Sequence, residues 1–155
     1  MFKYALMLLL LASNLAHADL IKPDDTQNWT VSGLAHYVRS KEDKYFSANI
    51  VSWGNNSSVV AFVDANGFCY ASDKNKHKTV KVKYQWVKFI QKCSSSTAFW
   101  LPQSQRGIEF VKQSFSGNSD VTISFDSKTY TFSTKKYTSV RQRWERTQST
   151  LGDAL

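Results

Sequence analysis

Two stretches of this chain alternate strictly between apolar and polar residues, and that pattern limits what the chain can fold into more than any other feature. Val121-Thr122-Ile123-Ser124-Phe125 and Thr129-Tyr130-Thr131-Phe132-Ser133 flank the short turn Asp126-Ser127-Lys128. In a strand, successive side chains point to opposite faces, so such runs are strands with one buried and one solvated face. Together they predict a hairpin. Thr79 to Trp86 alternates in the same way, with Val80, Val82, Tyr84 and Trp86 on one face and Lys81, Lys83 and Gln85 on the other. The phase shifts at Val87-Lys88-Phe89-Ile90, which reads as a bulge or bend.

Other strands follow from β-forming composition. Trp29 to Gly33 alternates, and Tyr45 to Trp53 ends at the turn-like Gly54 to Ser58. Val59 to Val63 reads as a short central strand. It closes at Ala65-Asn66-Gly67, where Asn-Gly signals a hairpin that returns through Phe68-Cys69-Tyr70-Ala71. Thr97 to Leu101 is a buried strand stopped by Pro102. The period then changes to that of a helix. Ser104 is an N-cap candidate, Ile108, Val111 and Phe115 recur on one stripe, and Gly117 is a stop, which predicts a helix over 105–116. Tyr137, Val140 and Trp144 predict a second helix near 137–148. The expected fold is mainly β: an antiparallel β-sandwich or barrel-like domain with one or two short α-helices.

The N-terminus reads as a secretory leader. Lys3 precedes the apolar run Ala5 to Ala12, and Ala16-His17-Ala18 is a small-x-small cleavage site. An apolar run of about 8 to 12 residues is too short for a ~30 Å hydrocarbon core, which needs about 20. The expected organisation is a signal peptide at 1–18 cleaved after Ala18, a flexible lead-in at 19–28, one β-rich domain at 29–148 and a frayed end at 149–155. The expected location is periplasmic or secreted. An oxidising compartment favours a disulfide, and with two cysteines in the chain, Cys69 and Cys93, one intramolecular pairing is available.

Charge narrows the partners. Lys and Arg number 20 against 12 Asp and Glu, a formal net charge of +8. Lys74, Lys76, Lys78, Lys81, Lys83, Lys88 and Lys92 crowd into one stretch. They suit a platform for an anionic partner, and equally a solvated strand face whose lysines block edge pairing. Arg141, Arg143 and Arg146, with Lys135 and Lys136, form a second basic group on or beside the last helix. Of the five tryptophans, Trp29, Trp86 and Trp100 sit among apolar neighbours and read as core. Trp53, beside a turn, and Trp144, between charges on a helix, read as the exposed contacts.

No catalytic constellation emerges. There is no Gly-x-Ser-x-Gly elbow, and His36 and His77 read as polar surface or structural residues. The pairs Asp24-Asp25 and Glu42-Asp43 read as solvated surface. Neither cysteine has a second ligand at metal-binding spacing, so no metal and no cofactor is expected.

Three stretches, in order, resemble the invasion-associated locus B family of small exported bacterial proteins. They are Asn28-Trp29-Thr30-Val31 soon after the leader, Cys69 to Cys93 in mid-chain, and Phe132-Ser133-Thr134-Lys135-Lys136-Tyr137-Thr138-Ser139-Val140 at the strand-to-helix passage. The chain departs from that family in lacking a cysteine just after Trp29-Thr30-Val31, in lacking closely spaced mid-chain cysteines, and in having Lys136 where glycine is expected. The resemblance implies a secreted or periplasmic β-sandwich with no known active site and a part in host or envelope interaction. It carries over no functional residues.

The expected function is therefore an exported, non-catalytic binding module, monomeric, that engages an anionic envelope, host or protein partner through its basic surface; nucleic acid is not the expected partner. The alternative is an inhibitor or immunity-type protein that blocks an exported toxin or hydrolase. A third reading, a small glycan hydrolase, requires two facing carboxylates about 5 to 9.5 Å apart in a cleft.

Overall fold

The computed structural model describes residues 23–73 and 75–152. The expected leader at 1–18, and Lys74, lie outside the described residues. The described residues form nine strands and two α-helices: β1 (Thr30–Ser32), β2 (Ala35–Arg39), β3 (Phe46–Trp53), β4 (Asn56–Phe68), β5 (His77–Val82), β6 (Gln85–Ser94), β7 (Thr97–Pro102), α1 (Gln105–Ser116), β8 (Val121–Phe125), β9 (Lys128–Phe132) and α2 (Tyr137–Gly152). All strands join one antiparallel sheet in the order β1-β2-β3-β4-β7-β6-β5-β8-β9. The fold is mainly β, as its alternation implies.

The sheet curls until its ends meet without a closing ladder. Phe46 on β3 stacks on Tyr130 of β9 with ring centroids 4.0 Å apart, although five strands lie between them in the sheet order. The turn between β2 and β3 bonds to the outer edge of β9. Lys41 N donates to Thr131 O at 2.9 Å, and Thr131 N donates to Glu42 Oε2 at 2.6 Å. Lys41 Nζ also lies 2.5 Å from Asp120 Oδ2. The edge of β9 is thereby covered rather than left open to another chain.

Inside the curl, Phe46, Phe62, Phe89, Trp100, Phe125, Tyr130 and Phe132 form an aromatic core, completed by Phe115 from α1 and by Trp29, Tyr137 and Val140. Edge-on packing of Trp29 against Phe115, centroids 5.3 Å apart, suits the ring quadrupoles. A smaller cluster of Val59, Ala61, Leu101 and Ile108 lies on the opposite side of β4 and β7, because Val59 and Ala61 alternate with Val60 and Phe62. Helix α1 has the expected bounds, and the Ser104 side chain accepts from Gly107 N at 3.1 Å. Gly117 ends it with φ −80°, so that stop does not use left-handed backbone. Helix α2 runs on to Gly152, past the frayed end expected from residue 149.

Two readings of the sequence are corrected. Asn66-Gly67 is not a hairpin: β4 continues through it to Phe68, and only the register with β7 slips between Asp64 and Phe68. Asp64 Oδ1 accepts from Asn66 N at 2.9 Å, which satisfies locally a donor that a turn would otherwise have used. The alternation from Val80 to Trp86 does not lie on one strand either. Lys83, at φ 52°, and Tyr84 form a two-residue turn, and Val82 pairs with Gln85.

Glu42 supplies the closing acceptor, and its acidity records this. Burial raises its pKa, but the bonds from Thr131 and Ser40 outweigh that and hold the carboxyl below its ordinary value. A depressed folded-state pKa adds stability above the unfolded value of about 4.3, and that contribution disappears as pH falls through the folded value. Glu42→Ala is expected to cost about 1–2 kcal/mol in urea unfolding at pH 7. The gap between wild type and variant should close as pH falls below about 4.

Candidate surface on the β5–β6 hairpin

Pairing sorts the lysines onto two faces. Lys78 shares the inner face with Val80 and Val82, whereas Thr79 and Lys81 face outward. On β6, Val87 and Phe89 point inward and Trp86 and Lys88 point outward. Lys81 pairs with Trp86 across the hairpin, and Thr79 pairs with Lys88.

The expected platform therefore divides. The Lys78 ammonium forms an ion pair with Asp126 and lies 4.7 Å from the ring centre of Trp100 and 4.5 Å from that of Phe125. Its side chain is only 33% exposed, so it belongs to the mouth of the core rather than to an outward field. Lys76 Nζ is 2.8 Å from Asp73 Oδ1. That lysine helps hold the Asp73 carboxyl below its ordinary value by hydrogen bonding. Lys83 donates to Ser119 Oγ at 3.2 Å. Lys92 donates to Asn75 Oδ1 at 2.9 Å and lies 5.1 Å from the centre of the Trp53 ring. The Lys81 and Lys88 side chains are exposed and their ammonium groups have no hydrogen-bond or ion-pair partner among the described residues; Lys81 reaches only the Trp86 ring, at 6.0 Å.

The tryptophan expectations are also corrected. Trp53 is half-buried beside Val51, Ile90 and Phe99. Trp144 is half-buried with its ring edge-on to His36, centroids 5.0 Å apart. The exposed tryptophan is Trp86, at 60%, with Tyr84 beside it at 78%. The turn at Lys83-Tyr84 reverses the chain, so Trp86 emerges on the face opposite Val80 and Val82. Tyr84 leans edge-on toward Phe110 of α1 at 5.7 Å.

The remaining candidates resolve as follows. Cys69 and Cys93 are joined, with Cα atoms 5.6 Å apart. Gln91 Nε2 donates to Cys69 Sγ at 2.9 Å, so the bridge ties the end of β4 to β6. His36 is buried and His77 exposed. Asp25, expected at the surface in a polar lead-in, is 2% exposed. It accepts from Tyr37 Oη at 2.8 Å and lies 3.6 Å from Arg39 Nε. Burial and that bond to Asp25 raise the Tyr37 pKa. In the second basic group, Arg141 pairs with Glu145 at 2.9 Å, whereas Arg143 and Arg146 are exposed. Lys136 has φ 66°, left-handed backbone that glycine adopts without strain. An open cavity of about 470 Å³ lies between the end of α1 and the start of α2, bordered by Asn118, Lys135, Lys136 and Gln142. Among the described residues no cluster of three or more His, Cys, Asp or Glu side chains is arranged to hold a metal ion, and no helix is long and apolar enough to cross a membrane.

Comparison of the chain with protein-family models, with curated proteins and with solved structures finds no match in any of the three. The geometry of the hairpin is thus what a functional reading has to build on.

The division of the lysines predicts unequal stability effects. Lys78→Ala loses an ion pair and two cation–π contacts and should cost about 1–2 kcal/mol. Lys81→Ala should stay within about 0.5 kcal/mol of wild type. Urea midpoints of the two variants check this.

Proposed function

We propose that this protein is an exported, non-catalytic binding module that engages an anionic envelope, host or protein partner through the outer face of its β5–β6 hairpin. The observation that carries the reading is that two uncommitted ammonium groups, Lys81 and Lys88, share one sheet face with the exposed Trp86. A charged group already satisfied by a neighbour has little left for a partner. One that is solvated and backed by rigid sheet can exchange water for an anion at small entropic cost.

The leader-like N-terminus and the Cys69–Cys93 bridge both suit an oxidising extracytoplasmic compartment. The likeness to the invasion-associated locus B family points in the same direction. A second reading, an inhibitor or immunity-type protein, is favoured by one observation. Phe68 and Tyr70, 77% and 66% exposed, flank the buried Cys69 and form the kind of rigid aromatic contact found in protein hot spots.

Charge reversal at equal net charge tests the first reading. Binding to immobilised heparin should weaken from low to physiological salt, as surface electrostatics require. Lys81→Glu with Lys88→Glu should weaken it at least about tenfold. Arg143→Glu with Arg146→Glu, which changes net charge equally from exposed positions on α2, should weaken it far less. Equal losses in the two double variants would mean that charge alone, and not this face, sets the affinity. If Phe68→Ser and Tyr70→Ser abolish capture of a stoichiometric protein partner that the lysine variants still hold, the second reading replaces the first.

A further inference from the structure

The polar face of the hairpin extends beyond its two lysines, and its chemistry identifies the kind of anion it fits. Lys81 pairs with Ser124 of β8 as well as with Trp86 of β6, so all three side chains stand on one face. Two residues along each strand, Thr79, Lys88 and Thr122 join them by alternation, and all of these side chains are exposed. The result is a sheet surface with one large ring, hydroxyls from three residues and two ammonium groups. None of these six positions is acidic.

We propose that this face binds an acidic polysaccharide, with one sugar ring stacked on the Trp86 indole, its carboxylate or sulfate groups paired with Lys81 and Lys88, and its hydroxyls bonded to Thr79, Thr122 and Ser124. This rests on the binding-module reading above and narrows it to one ligand class. Charge complementarity selects an anion. The hydroxyls select among anions, because a sugar presents both donors and acceptors in the plane of its ring substituents, and Ser and Thr hydroxyls answer both. An anionic bilayer fits less well. It takes up protruding apolar side chains, whereas Trp86 here stands among hydroxyls and ammonium groups that would lose their water. Single-stranded nucleic acid stacks successive bases on successive rings. This face offers one.

The test uses the disulfide-bonded chain and two probes, an oligogalacturonate and a heparin-derived sulfated oligosaccharide, followed by calorimetry. The proposal expects binding of at least one probe and a loss of about ten- to thirtyfold on Trp86→Ala. It also expects a comparable loss when the galacturonate carboxylates are methyl-esterified, if that probe is the one bound, and little change on Trp53→Phe. Trp86 is exposed, so its variant should keep the wild-type unfolding midpoint, which is measured alongside. If Trp86→Ala binds the oligosaccharide as wild type does while the Lys81 and Lys88 reversals still weaken it, the stacking proposal is wrong and the basic-face reading survives. Binding to phosphatidylglycerol vesicles or to single-stranded oligonucleotide but to neither oligosaccharide overturns the ligand class and again leaves that reading intact. Binding to none of these polyanions at low salt overturns both.

Discussion

Everything in this molecule depends on the two-residue period of a pleated strand wrapped around an aromatic core. Once Phe46, Phe62, Phe89, Phe125 and Phe132 occupy the inside of the curl, each strand has one face that must be apolar or internally compensated and one face left to water. Lys78 shows how firmly this holds. It falls in phase with Val80 and Val82, and its charge is accommodated only because Asp126 and the rings of Trp100 and Phe125 surround it. Three residues on, Lys81 is out of phase and faces water.

Curvature supplies the second half of the design. A flat nine-stranded sheet would leave β1 and β9 as open edges, and three-residue β1 is short enough to be a poor template. The curl brings β9 to the β2–β3 turn, where Glu42 and the backbone of Lys41 take up the hydrogen bonds of Thr131 that no strand claims. The helices complete the enclosure. Phe115 of α1 and Tyr137 of α2 meet Trp29 in the core, where burial raises the Tyr137 pKa well above its ordinary value. Ser58 Oγ, donating to Glu145 Oε1 at 2.6 Å, fastens α2 to β4.

Much of this was legible in the chain, for identifiable reasons. The β8–β9 hairpin and α1 were readable because pattern, turn and cap agree: Asp126 and Ser127 have φ of 49° and 62°, and Ser104 caps as its residue type suggests. The misreadings come where a local signal met a longer-range constraint. Asn66-Gly67 has turn chemistry, but β7 pairs with β4 on both sides of it, so the strand continues through a register slip instead of reversing. Val80 to Trp86 keeps perfect alternation across a chain reversal, because a two-residue turn preserves the period while exchanging the faces. That is why Trp86 reads as core from the sequence. Its exposure had one sequence signal, the phase shift at Val87, which marks the preceding turn and not a bulge. Strand β2 and the buried Asp25 left no clear signal, since both are defined by tertiary partners.

The central claim is that backbone period, not lysine density, decides which cations this protein presents. Site-resolved amine labelling of the native, disulfide-bonded chain, read by peptide mass spectrometry, measures this directly. The account predicts that Lys81 and Lys88 acetylate fastest in the 76–92 stretch, with Lys78 slower by about an order of magnitude, as expected of an ammonium held between an ion pair and two rings. If Lys78 labels as fast as Lys81, the two faces are not distinguished in solution and the account is contradicted.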